Sequence, residues 1–178
     1  PALGYASDIP SGVYLYWKTI KARRDYAWFA AHLPPGTSPG SVLEVGCSEG
    51  LLLSIFRQHG WQVLGIEPTH SYATYAQTRF QISVINTLFE DANLNGQWFD
   101  VVISLETVEH AKDPRAFLRA MRDLLKPQGI LFISVPCVFI PKGDAASFLG
   151  SHHLSLFTLD SLRLILAQAG LRTMTLDA

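Results

Sequence analysis

Charge, sulfur and long apolar runs are all scarce in this chain of 178 residues, and each shortage excludes something. Charged side chains make up 16% of the residues, against about 25% in an average soluble domain. The formal net charge is -1 and no basic run occurs, so nucleic acid held by charge is not an expected partner. The two cysteines, Cys47 and Cys137, lack metal-ligand or redox-pair spacing; reduced thiols, and hence the cytoplasm, are expected. No apolar run approaches about 18 residues, and no basic segment leads into an apolar one, so neither a membrane span nor a signal peptide is visible. The chain opens on Pro1 rather than methionine, as expected of an excerpt from a longer protein. Composition says nothing about oligomeric state.

What is present fits one domain with a sizeable core, organised around Val42-Leu43-Glu44-Val45-Gly46-Cys47-Ser48-Glu49-Gly50. An aliphatic run stops at a glycine-rich bend, and Leu51-Leu52-Leu53 with Ile55-Phe56 follows at once: a strand, a tight loop and a helix. Glycines 46 and 50 allow a sharp turn and close approach of a ligand to the backbone, beside the unpaired N–H groups of the helix start. The dinucleotide fingerprint would need glycine at 46, 48 and 51, where this chain has Gly46, Ser48 and Leu51, which argues against NAD. Glu44, near the loop, suits a positively charged ligand, such as a sulfonium or an amino-acid ammonium, better than a pyrophosphate.

VLEVGCSEG resembles the first motif, [DE]xGxGxG, of class I S-adenosylmethionine-dependent methyltransferases, with Ser48 in place of the middle glycine. FDVVISLETVEHAKDP and LLKPQGILFISVP resemble the fourth and fifth strands of the same enzymes, so that the likeness covers residues 41 to 135. It implies S-adenosylmethionine as cofactor, contacted by Glu44, Gly46, Cys47, Ser48, Gly50, Glu67, Pro68, Leu88 and Leu105. It also implies a methyl transfer to a small-molecule acceptor.

Read in order, residues 1 to 40 form an N-terminal helical arm or lid, with a helix over Val13 to Leu33 closed by the breaker cluster Pro34 to Gly40. Residues 41 to 178 form the cofactor-binding domain. Its second strand, Trp61 to Ile66, stops at Glu67-Pro68, where a strand-end carboxylate can accept two hydrogen bonds from a ribose diol. A helix spans 69 to 80, capped by Thr69 or Ser71, and Ile82 to Ile85 is a third strand. The segment Asn86 to Asp91 follows, which the resemblance places beside the adenine. Trp98 to Ser104 is a fourth strand, nearly all apolar, as expected when helices cover both faces. Asp113-Pro114 opens a helix that Lys126-Pro127-Gln128-Gly129 stops; Ile130 to Val135 is a fifth strand. A long connection over 136 to 155 precedes a helix capped by Thr158, and Leu171 to Leu176 reads as a sixth strand. The expected fold is α/β, a Rossmann-like, doubly wound and mostly parallel sheet with helices on both faces. The seventh, antiparallel strand usual in the family is expected to be missing from this stretch.

Glu106, Glu109 and His110 sit just past the fourth strand. Two carboxylates and an imidazole this close can hold a divalent cation such as Mg, Mn, Fe or Zn, with a fourth ligand from His152 or His153. The ExxEH pattern resembles the metal site of small-RNA 2'-O-methyltransferases and that of metal-using O-methyltransferases of the ubiquinone pathway; by its place before Phe157-Thr158, His153 is the better match to the last ligand. The expected chemistry is O-methylation, with His110 as base or metal-bound orienter and Glu109 and Glu106 beside it. A metal-dependent RNA-end methyltransferase and a non-catalytic module that binds the cofactor or a partner protein are the alternatives.

Overall fold

The computed structural model describes residues 12–137 and 153–176. Most of the long connection after residue 136, His152 and the first eleven residues lie outside these, and so do the expectations that fell on them.

Among the described residues five strands form one parallel sheet in the order β3-β2-β1-β4-β5. They are β1 (Ser41–Val45), β2 (Gln62–Ile66), β3 (Ser83–Ile85), β4 (Phe99–Leu105) and β5 (Leu125–Ser134). The helices are α1 (Gly12–His32), α2 (Leu51–Gln58), α3 (His70–Phe80), α4 (Pro114–Asp123) and α5 (Leu159–Gln168). Because side chains alternate across a strand, β1 feeds two cores at once. Val42 packs with Phe29 of α1, Leu53 and Phe56 of α2 and Ala76 of α3. Leu43 and Val45 pack with Leu118 and Met121 of α4 and Leu162 of α5. The sheet is therefore covered on both faces, which is why its central strands are mostly apolar.

Local chemistry sets the helix starts. Asp113 Oδ1 accepts from the backbone N–H of Arg115 at 3.0 Å and Ala116 at 3.1 Å, with Pro114 in the first turn. Thr158 and Ser161 form a reciprocal cap on α5. Thr69 takes the cap position of α3 without a side-chain bond; its N–H donates instead to Glu67 Oε1 at 2.7 Å.

Two expectations are corrected. α4 ends at Asp123 with Leu124 as its cap, so the KPQG segment does not stop the helix but lies within β5, which begins at Leu125. The extra length is taken up by a register shift opposite Phe99 and Val101, with Gln128 at φ 67°. Residues 171 to 176 are not a strand. Gly170, at φ 78°, turns the chain off α5, and Leu171 N–H bonds back to Leu166 O at 3.0 Å. The segment then packs Leu171 and Leu176 on the core without reaching a strand edge to pair with, and a strand exists only through such pairing. β5 is thus an outer strand among the described residues, and a groove of about 1980 Å³ runs beside it between Trp28 of α1 and Leu166 of α5.

Candidate functional site

The chain builds outward from β1 in one direction through β2 and β3, and in the other through β4 and β5. Loops leaving β1 and β4 therefore diverge and open a crevice at the carboxyl ends of the strands. A cavity of about 290 Å³ occupies it.

Its floor is the loop after β1. Gly46, at φ 77°, donates from its N–H to Ile66 O at 2.8 Å, as Cys47 does at 3.0 Å. A Cβ on Gly46 would strike Thr107 Oγ1. Ser48 stands at φ 52°, a left-handed conformation, and its N–H donates to Glu67 Oε2 at 3.0 Å. Glu67 is 6% exposed and receives the Thr69 amide on its other oxygen. One carboxylate thus ties the β1 loop to the β2 end, with a lone pair left on each oxygen. Asn86 braces the same corner by donating to Glu67 O at 2.7 Å and Pro68 O at 3.0 Å.

Burial raises the carboxyl of Glu67 above its ordinary value, opposed by the Thr69 and Ser48 amides. Glu44 is more extreme. It is 5% exposed, its Oε2 has no hydrogen-bond partner, and burial pushes its pKa up to about 8, with Lys21 drawing it down and Asp25 and Glu67 adding to the rise. Burial also holds the Cys47 thiol well above its usual value, so it is an inert filler of the loop.

Of the cofactor residues read from the sequence, Glu44, Gly46, Cys47, Ser48, Glu67, Pro68, Leu88 and Leu105 line the cavity. Gly50 does not; at φ 71° it turns the chain into α2 against Ala76, whose Cβ a Gly50 side chain would meet at 2.7 Å. The sequence reading missed Lys18, Lys21 and Asp25 on α1, and Glu49 and Thr107, which also line it, while Phe89 and Glu90 belong to the segment read as lying beside the adenine. The three- and four-residue spacing of 18, 21 and 25 was a legible signal, since it makes one helix face.

The residues after β4 divide. Glu106, at φ 52°, is exposed and lies 3.6 Å from Lys21 Nζ. Glu109 is 1% exposed and neither carboxylate oxygen has a hydrogen-bond partner. Its backbone carbonyl accepts from Leu154 at 2.9 Å and Ser155 at 3.0 Å, which brings His153 beside His110 with ring centres 5.0 Å apart. Ligand atoms of Glu109, His110 and His153 lie within 4.8 Å of one another, and Glu106 is not among them. Burial raises the Glu109 carboxyl, against the pull of His110 and His153. Of the three, His110 reaches the cavity.

Comparison with known proteins agrees with this geometry. The ubiquinone biosynthesis O-methyltransferase of Cereibacter sphaeroides is 34% identical over 146 residues, 73% of this chain and 59% of the relative. That of Ruegeria pomeroyi is 35% identical over 147 residues, with the same shares. The chain thus spans about three fifths of the length of these curated relatives. Among solved structures, a magnesium protoporphyrin IX methyltransferase from Synechocystis with bound SAH superposes with a TM-score of 0.66 at 20% identity, covering 92% of this chain and 78% of that one, which shows a shared fold. The family model described as a methyltransferase domain matches residues 17–176, and the chain belongs to that family.

Proposed function

We propose that the chain binds S-adenosylmethionine in the cavity at the strand ends and transfers its methyl group to a hydroxyl oxygen of a small molecule. The observation that carries this reading is the pair of buried acids on either side of one loop, Glu44 with an unpaired oxygen and Glu67 held by two backbone amides. Glu67 presents its remaining lone pairs to a ribose diol. Glu44 meets the cofactor's ammonium, Lys21 its carboxylate, and Leu88 with Phe89 the adenine face. α1 closes the cavity on its outer side through Lys18, Lys21 and Asp25, which supports reading residues 1–40 as a lid. The hydroxyl acceptor is supported by the relatives' printed activity, O-methyl transfer in ubiquinone biosynthesis. The two free thiols and the lack of a basic run support a cytoplasmic small-molecule enzyme.

When bound, the cofactor supplies an electrophilic sulfonium methyl, whose C–S electron pair leaves with sulfur as the acceptor oxygen takes the carbon. The chain's part is orientation, which alone can remove several kcal/mol of barrier, and, with no cation bound, removal of the hydroxyl proton, which His110 accepts at a ring nitrogen. Glu109, His110 and His153 fit a divalent cation: an orphaned buried carboxylate and two imidazoles form an oxygen and nitrogen donor set. A cation there would supply Lewis acidity that lowers the acceptor's pKa, with His110 then serving as a ligand that orients the acceptor rather than as the base. Glu106, paired with Lys21, stands outside that set and serves the lid.

Calorimetric titration with S-adenosylhomocysteine, on protein analysed for metal in the same preparation, tests both parts. Micromolar binding is expected, and absence of binding by the folded full-length protein overturns the reading in favour of a non-catalytic module.

A further inference from the structure

The cofactor cavity is lined by six carboxylates against two ammonium groups, Lys18 and Lys21, in a chain whose net charge is -1. Most of these acids are accounted for. Lys21 Nζ lies 2.8 Å from Asp25 and 3.6 Å from Glu106, Glu67 holds two backbone amides, Glu90 is exposed, and Glu44 is the acid read above as the ammonium's partner. Glu49 has no such role.

Glu49 is 2% exposed, and its Oε1 has no hydrogen-bond partner. Ser48 and Gly50 on either side are left-handed, at φ 52° and 71°. The loop they fold turns Glu49 inward, where Lys18 of α1 and Tyr72 of α3 feel its charge. Lys18 is engaged elsewhere, its Nζ standing 5.3 Å from the centre of the Tyr14 ring. A buried carboxylate oxygen without a donor is costly, and in the wall of a ligand cavity it marks a place for a cation.

The ligand's own chemistry says which cation. S-adenosylmethionine carries two positive centres, an ammonium and a sulfonium, and the cavity offers two buried carboxylates with an oxygen unpaired, Glu44 and Glu49. The sulfonium joins the amino-acid part, assigned to Glu44, to the ribose, assigned to Glu67. Glu49 follows Glu44 into the same loop and its charge acts on Glu67, so its field covers the sulfur between them.

We propose that Glu49 is a specificity-determining residue that makes the cavity prefer S-adenosylmethionine over the product S-adenosylhomocysteine, whose sulfur is uncharged. This rests on the cofactor reading above. On transfer the methyl carbon goes to the acceptor oxygen and the C–S electron pair stays on sulfur. The positive charge that Glu49 holds then disappears, and the product is bound less tightly than the substrate it came from.

The test is calorimetric titration of the full-length protein with S-adenosylmethionine and, separately, with S-adenosylhomocysteine. The parent should bind the sulfonium roughly tenfold more tightly, the effect of one unit charge acting across a cavity at a protein's effective dielectric. Glu49→Gln should bring the two affinities together by weakening S-adenosylmethionine alone, and Glu49→Asp should restore part of the preference. Glu44→Gln, by contrast, should weaken both ligands alike, because both carry the ammonium. Equal affinities in the parent, or a Glu49→Gln variant that weakens both ligands by the same factor, would overturn the proposal and leave the cofactor reading intact. Binding of neither ligand would overturn both.

Discussion

Replacing Glu44 by glutamine separates two effects that the parent residue combines. In the cofactor-free fold the Glu44 carboxyl titrates at about 8 rather than at 4.5, because burial penalises its charge more than Lys21 relieves it. The unfolded chain therefore ionises this group near its ordinary pKa while the folded chain does not, so the contribution of Glu44 to stability is full below about 4.5 and is lost as pH rises toward 8. At about 1.36 kcal/mol per unit the loss reaches an upper bound of about 5 kcal/mol. Glu44→Gln keeps the shape and removes the titration. Denaturant unfolding without ligand should show the variant less sensitive to pH across that window, and more stable than the parent at its alkaline end. Binding should move the other way, because a ligand ammonium ionises Glu44 and a charge-assisted hydrogen bond contributes about 1.5–3 kcal/mol, so affinity for S-adenosylhomocysteine should fall roughly ten- to a hundredfold. Calorimetry at pH 7 in buffers of differing ionisation enthalpy should find close to one proton released by the parent and none by the variant. A parent that releases no proton, or a variant that binds as tightly, refutes the reasoning.

The remaining expectations concern chemistry and local structure. His110→Ala should lower kcat by about 10²–10⁴ with product affinity within a few fold of the parent, and full turnover by this variant on the true acceptor would remove His110 from the reaction. Gly50→Ala forces a side chain into a left-handed turn and against Ala76; thermal unfolding should show a loss of about 1–2 kcal/mol or more, and an unchanged midpoint would contradict the assigned turn. Asp113→Ala leaves the Arg115 and Ala116 amides without their cap and should cost about 1 kcal/mol, read by denaturant titration.

How much of the site was legible varies from residue to residue. Glu44, Ser48 and Glu67 were legible because they lie next to chain breaks that local sequence announces: an aliphatic run meeting glycine, or a strand meeting Glu-Pro. Gly50 was read as a ligand contact for the same reason, yet it serves the turn, and glycine at such a bend looks alike in either role. Glu106 was grouped with Glu109 and His110 by spacing. Its left-handed backbone carries it toward Lys21 instead, and no run of residue types announces that conformation. Residues 171 to 176 have the composition of a strand but no neighbour to pair with, and pairing is not a property of the segment itself.

The sequence by itself determined the order of strands and helices, the caps at Asp113 and Thr158, and the sharp turn after β1, because each depends on neighbours a few residues apart. Tertiary structure alone decided that α1 lies over the cavity and brings Lys18 and Lys21 to it. It also decided that the Glu109 carbonyl is the contact that seats His153 beside Glu109 and His110, and that Glu44 is buried enough to hold its proton to about 8. These outcomes depend on which surfaces exclude water and which distant segments meet, and desolvation is set by the whole fold rather than by any stretch of chain.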